Sequence, residues 1–175
     1  YKFYAKYDNF ISGDLRNADD VGTADIQIYS STEDKPVFEL YIIDSHGKAK
    51  DGAGYAPVDK KQIEWYVSRR EQLKAENGGY LPSLVFQHIP VPEFFDVIKK
   101  VPKGTKGAVP AYGAHENEYF VLNDETIAEG GFMLESPASP DVNTGEFEAM
   151  SEKGDVLGIY VGHDHNNSFV VKYKG

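Results

Sequence analysis

Three of the five histidines in this 175-residue chain stand where chemistry tends to collect. His88 follows Leu84-Val85-Phe86-Gln87, a short apolar run of the buried-strand type. His163 and His165 form an H-x-H after a second such run, Val156-Leu157-Gly158-Ile159-Tyr160-Val161. In α/β sheets, functional groups gather at the carboxyl ends of strands. An H-x-H in a turn or extended segment can aim two imidazoles at one small volume, and neutral imidazole is a common ligand for zinc, iron and manganese. Gly162, just before His163, lets backbone approach a metal or an anion closely. Asp44-Ser45-His46 is another polar cluster at a strand end, and Asp44 with His46 offers an alternative ligand pair for a site with a single metal. His115, in Ala114-His115-Glu116-Asn117-Glu118, reads as a surface residue.

The elements that must hold these residues alternate between strand and helix. Residues 24–29 alternate in polarity and predict a strand. Residues 37–43 are almost continuously apolar, which predicts a strand buried on both faces. Asp59 with Gln62 three residues on has the capping-box pattern and opens a helix. Ile63, Tyr66, Val67 and Leu73 share one face of it with Arg70 between them, Trp65 and Tyr66 read as core, and Asn77-Gly78-Gly79 ends it. Residues 84–87 then return as a strand. Strand, helix, strand in that order predicts a right-handed crossover and an α/β class. Residues 10–22 and 99–117 read as loops, the second as a surface excursion, and 129–131 and 136–140 as further loops. The last ordered block is expected to begin near Lys153, with strands at 156–161 and 169–173.

Composition excludes several classes. With 28 acidic and 18 basic residues the net charge is −10, so broad binding to nucleic acid or anionic membrane, which needs a positive surface, is not expected. No run approaches the ~18 apolar residues of a membrane span. The absence of cysteine removes disulfide scaffolds, thiol nucleophiles and cysteine-ligated zinc. The length suits a single domain, or part of one, over residues 1–175.

Gly162-His163-Asp164-His165 after a strand resembles the final G-H-x-H motif of the calcineurin-like metallophosphoesterases. The run through His88-Ile89-Pro90-Val91-Pro92-Glu93 resembles the single-histidine motif that precedes it, in the flavour of the purple-acid-phosphatase-like branch. Asp44-Ser45, Gln62-Ile63-Glu64-Trp65, Asn143-Thr144-Gly145-Glu146-Phe147 and Gly154-Asp155-Val156 resemble the connecting pieces of that branch, in the same order, over roughly residues 40–169. The resemblance implies a double-sheet sandwich flanked by helices. It implies phosphate ester hydrolysis by a two-metal-activated hydroxide, with two divalent ions (Mn, Fe or Zn) as cofactors. His88 and His163 would bind one metal and His165 the other. Asp164 is the variable position and has no ligand role. Asn166 is placed to touch substrate phosphate, or with Asn167 only to cap a turn. The substrate would be a phosphorylated small molecule or another phosphoester, and the resemblance leans towards an exported protein.

The family's earlier motifs are absent. No G-N-H occurs, and Gly13-Asp14-Leu15-Arg16-Asn17 begins like the G-D-x-x-D motif but ends in Asn. Asp44-Ser45-His46 fits D-x-H, yet no G-D-x-x-D follows it. The expectation is therefore the C-terminal half of a metallophosphoesterase, agreeing with a chain that opens on Tyr1. The leaving-group acid would lie in the missing N-terminal part, so no catalytic residue is named here. Three histidines divided between two ions are too few for an ordered site, so such a half would bind metal weakly and hydrolyse little by itself. Its uncovered strand edges would favour oligomerisation or a missing segment of chain. A non-catalytic binding module on an α/β scaffold, and a mononuclear hydrolase using Asp44 and His46, are the rival expectations.

Overall fold

Short alternating runs and one strongly capped helix set the architecture. The computed structural model describes residues 3–8, 22–52 and 54–174. The expected loop from residue 10 and the Gly13-to-Asn17 segment lie outside the described residues, apart from Gly22. In chain order the first elements are β1 (Ala24–Tyr29), β2 (Pro36–Ile42), α1 (Lys60–Asn77), β3 (Ser83–Phe86), α2 (Phe94–Val97) and β4 (Ile98–Val101). They are followed by β5 (Val109–Pro110), β6 (Tyr119–Leu122), β7 (Phe132–Met133), α3 (Glu146–Ser151), β8 (Val156–Tyr160) and β9 (Asn167–Ser168). The chain is mixed α/β, and it divides into two compact units interleaved in sequence. No helix among the described residues is long and apolar enough to cross a membrane.

The first unit takes the described residues up to Asp44, then Val58–Gln87 and Glu148–Tyr160. Its sheet has the order β1-β2-β3-β8. β1 pairs antiparallel with β2, whereas β2, β3 and β8 are parallel neighbours, as a crossover through α1 requires. The helix begins as its sequence dictates. The Asp59 side chain accepts from the Gln62 amide at 3.0 Å, and Gln62 Oε1 accepts from the Asp59 amide at 2.9 Å. Gly78 ends the helix at φ 75°, a left-handed conformation that costs glycine little. The buried stripe is Gln62, Tyr66, Arg70 and Leu73. It is more polar than the expected face, because Gln62 also donates to Thr23 Oγ1 at 2.9 Å and to the Asp44 carbonyl at 2.7 Å. Tyr66 packs with Tyr41, Ile43, Val58, Val85 and Met150, and Trp65 lies half-buried against that cluster.

β2 corrects the expectation of burial on both faces. Glu39 and Tyr41 are 1% and 2% exposed while Phe38, Leu40 and Ile42, which alternate with them, are only half-buried, so the strand alternates and its buried face includes a carboxylate. Gln27 pairs with Glu39 and Asp25 with Tyr41, which makes Asp25 and Glu39 diagonal neighbours on one face. Asp25 is held by Arg69 of α1 at 2.9 Å. Burial first, and then the Asp25 charge, push the Glu39 carboxyl up to about 8.

The second unit takes Ser45–Pro57, His88–Phe147 and the described residues from Val161 onward. It holds a three-stranded sheet in the order β4-β6-β5, with β7 paired to β9. Ile98, Val109, Ala111, Phe120 and Met133 form its core, with Phe95, Leu122 and Phe169 against them. Residues 99–117 are therefore not merely a surface excursion. Their strands are two to four residues long, too short to leave a period in the sequence. The expected closing strand at 169–173 is also corrected. That segment makes only an isolated bridge, Ile127 with Val171, while Phe169 turns to the core and Val170 is 69% exposed. α3 lies between the loop expected at 136–140 and the block expected from Lys153, where no element is expected from the sequence.

Candidate functional site

His88 lies two residues past the end of β3, and His163 three past the end of β8. The Gly162 amide donates to the His88 carbonyl at 3.0 Å, tying the two segments together. On the other side, the buried Ser45 hydroxyl accepts from two successive amides, His88 at 3.2 Å and Ile89 at 2.8 Å. The His88 backbone is thus gripped from both sides by partners distant in sequence.

His163 is held in an unusual way. The Asp164 amide donates to the Gly162 carbonyl at 2.8 Å, closing a three-residue γ-turn. His163, the central residue, takes φ 71°, where residues with a Cβ are rare. Strain of this kind marks positions whose side-chain direction is fixed by their surroundings. The outcome is that His163 Nδ1 lies 3.1 Å from His88 Nε2, with ring centroids 4.9 Å apart and planes at 76°. Burial first, then the neighbouring His88, His165 and Lys48, hold the His163 proton affinity below the ordinary imidazole value, while Glu135 opposes them. That favours the neutral ring, the form that ligates metal.

The third expected ligand, His165, is exposed in the turn before β9, and its charge is felt at His163. The structure brings two of the three predicted rings into direct contact and sets the third on the adjoining turn. That turn is stitched to residues 134–138. Asn167 Oδ1 accepts from the Leu134 and Glu135 amides at 3.1 and 3.3 Å, the Asn166 amide donates to Glu135 Oε1 at 2.7 Å, and Asp164 Oδ1 accepts from the Ala138 amide at 3.1 Å. Asn167 therefore caps the turn, and Asp164 fastens it. Gly162 is not demanded by space, since a Cβ there would meet His88 Nδ1 at an ordinary 3.6 Å.

The remaining candidates have other surroundings. His46 is exposed at φ 59°. Asp44 is anchored through its backbone, its amide donating to Thr23 Oγ1 at 3.2 Å. His115 stacks on Phe95 at 3.9 Å and bonds Glu118 at 2.9 Å. Two groups were not predicted from sequence. Tyr55 stands edge-on to the His163 ring, with centroids 4.5 Å apart, and the Lys48 ammonium lies 4.2 Å from the centre of the Tyr55 ring. Their signal was present in Gly47, Gly52 and Gly54, which punctuate the hairpin that carries both.

Two imidazole nitrogens 3.1 Å apart suit adjacent corners of a tetrahedral metal site, where bonds of ~2.0–2.1 Å put ligands roughly 3.3 Å apart. Imidazole suits zinc, iron and manganese alike. Among the described residues, however, no group of three or more His, Asp or Glu side chains is assembled that could hold one ion. The pair fits part of a metal's coordination, and the rest of the donor set is not assembled here.

The chain is 29% identical over 151 residues to "Probable inactive purple acid phosphatase 14" of Arabidopsis thaliana, covering 81% of this chain and 31% of that protein. It is 27% identical over 170 residues to "Probable inactive purple acid phosphatase 29" of the same plant, covering 90% of this chain and 37% of that protein. This chain is related to the purple-acid-phosphatase-like metallophosphoesterases. Its mixed α/β fold suits that relationship. It spans about a third of the length of these curated relatives. No family model and no solved structure matches it.

Proposed function

We propose that this chain is part of a metal-dependent phosphoesterase and supplies the histidine side of its metal site. The observation that carries the reading is the 3.1 Å contact between His88 and His163, the two residues that the family resemblance assigns to one ion. His165, on the adjoining turn, would serve the second ion. Two divalent ions would supply an activated hydroxide and charge stabilisation for phosphate ester hydrolysis. The chain's own residues hold the donor nitrogens in place, through Ser45 and Gly162 on His88 and through the γ-turn at His163. The other ligands and the leaving-group acid would come from further residues of a longer protein, of which these 175 form the C-terminal part of a domain. Leu157 and Tyr160, exposed on β8 at the end of its sheet, support the expectation of association through strand edges, with further chain or a second copy.

A non-catalytic binding module is the second reading. It draws support from the word "inactive" in both relatives' names and from the lack of a third converging ligand among the described residues. Turnover of p-nitrophenyl phosphate with added manganese or zinc separates the two. We expect negligible turnover from this chain and clear turnover from a version extended N-terminally. Turnover by this chain alone would overturn the divided site, and an inert extended protein would favour the binding module.

A further inference from the structure

We infer that Lys48, displayed on the ring of Tyr55, is the cationic contact for a phosphate oxygen at the His88–His163 pair. The inference rests on the phosphoester reading above and adds the group that would recognise the anion.

The hairpin that carries Lys48 is built to present it. The Ala56 amide donates to the Gly47 carbonyl at 2.9 Å, and the Ala49 amide to the Gly54 carbonyl at 3.1 Å. Between these bonds Lys48 and Tyr55 form an antiparallel bridge. Directly opposed residues of an antiparallel pair project from the same face. That places the ammonium 4.2 Å from the Tyr55 ring centre, within cation–π reach. The same Tyr55 ring stands edge-on to His163 at 4.5 Å and 85°. Lys48, Tyr55, His163 and His88 thus form one continuous run of contacts.

Charge favours an anion here. Lys48, like most lysines among the described residues, is in no salt bridge there, and what sets it apart is its place on the ring that touches His163. In a chain of net charge −10, this ammonium is the positive group on that run of contacts, next to a His163 ring held towards neutrality on which Glu135 also acts. Its three N–H donors match the acceptor oxygens of a phosphomonoester, which carries close to two negative charges at neutral pH.

The test is a titration of the full chain with inorganic phosphate, followed by amide signals in nitrogen–proton correlation spectra. We expect signals of residues 47–55 and 162–163 to move together. Lys48→Gln should weaken binding about five-fold, the most that one exposed ion pair ordinarily contributes. Lys48→Arg should retain binding, Tyr55→Leu should weaken it in part, and Lys50→Gln, on the same hairpin, should match the wild type. Equal affinity in Lys48→Gln and Lys50→Gln, shifts confined to other segments, or no phosphate response at all would overturn the inference. A separate zinc titration without phosphate tells this failure from that of the parent reading. If zinc moves the His88 and His163 signals while Lys48→Gln has no effect, the anion contact falls and the metal site stands. If zinc leaves them unmoved while phosphate binding still depends on Lys48, the anion contact stands and the metal reading falls.

Discussion

Two side chains show how burial fixes protonation in this protein. His163 is kept towards its neutral form next to His88, and Glu39 keeps its proton beneath α1. The consequence for Glu39 can be worked out in sign. In the unfolded chain its carboxyl ionises near 4.5, and in the fold near 8. Between those values the folded state holds a proton that the unfolded state has lost, so stability falls as pH rises through the window and levels above it. Below 4.5 the carboxyl is neutral in both states and its burial carries no ionisation cost. Glu39→Gln should flatten the decline and make the protein more stable than wild type at pH 8, by roughly 2 kcal/mol. Urea midpoints from pH 5 to 8 measure this, and an unchanged slope in the variant would refute it.

At the scale of elements, α1 joins the first unit through Arg70. Its guanidinium donates to the Ala149 carbonyl at 2.9 Å and lies 3.4 Å from Glu152 and 3.9 Å from the buried Asp155. Arg70→Ala would take from the buried Asp155 carboxylate its ion-pair partner, leaving only the exposed Lys153 nearby, at a cost of about 3–5 kcal/mol. Asp59→Ala, which removes only the helix cap, should cost about 1 kcal/mol. Chemical denaturation ranks the two, and a reversed order would contradict this account of what secures the helix. These elements also show what the sequence discloses. The capping box at Asp59 and Gln62, the alternation of β1 and the runs of β2, β3 and β8 carry local signals, and each was legible. The β4-β6-β5 sheet was not, because two-to-four-residue strands gain their identity from pairing across the chain rather than from pattern. The polarity of Gln62, Arg70 and Glu39 concealed their burial, since each is buried against a partner or charge contributed by another segment. The histidines were legible as a set, but the γ-turn that aims His163 and the Lys48–Tyr55 hairpin beside it depend on backbone bonds that no motif states.

On the scale of the whole molecule, an acidic chain that spans about a third of the phosphatase-like proteins it resembles gathers two imidazole rings, an adjoining third histidine and the Lys48 ammonium in its second unit. On the proposed reading these residues are one side of a metal site, which gives a clear expectation for metal binding by this chain on its own. Zinc titration of the full chain, followed through the imidazole nitrogen shifts, reads out whether His88 and His163 share an ion. The ring nitrogens of His88 and His163 should respond together and weakly, and His163→Ala should abolish the response of His88. Rings that do not respond to zinc, or a response centred on His46 or His115, would contradict it.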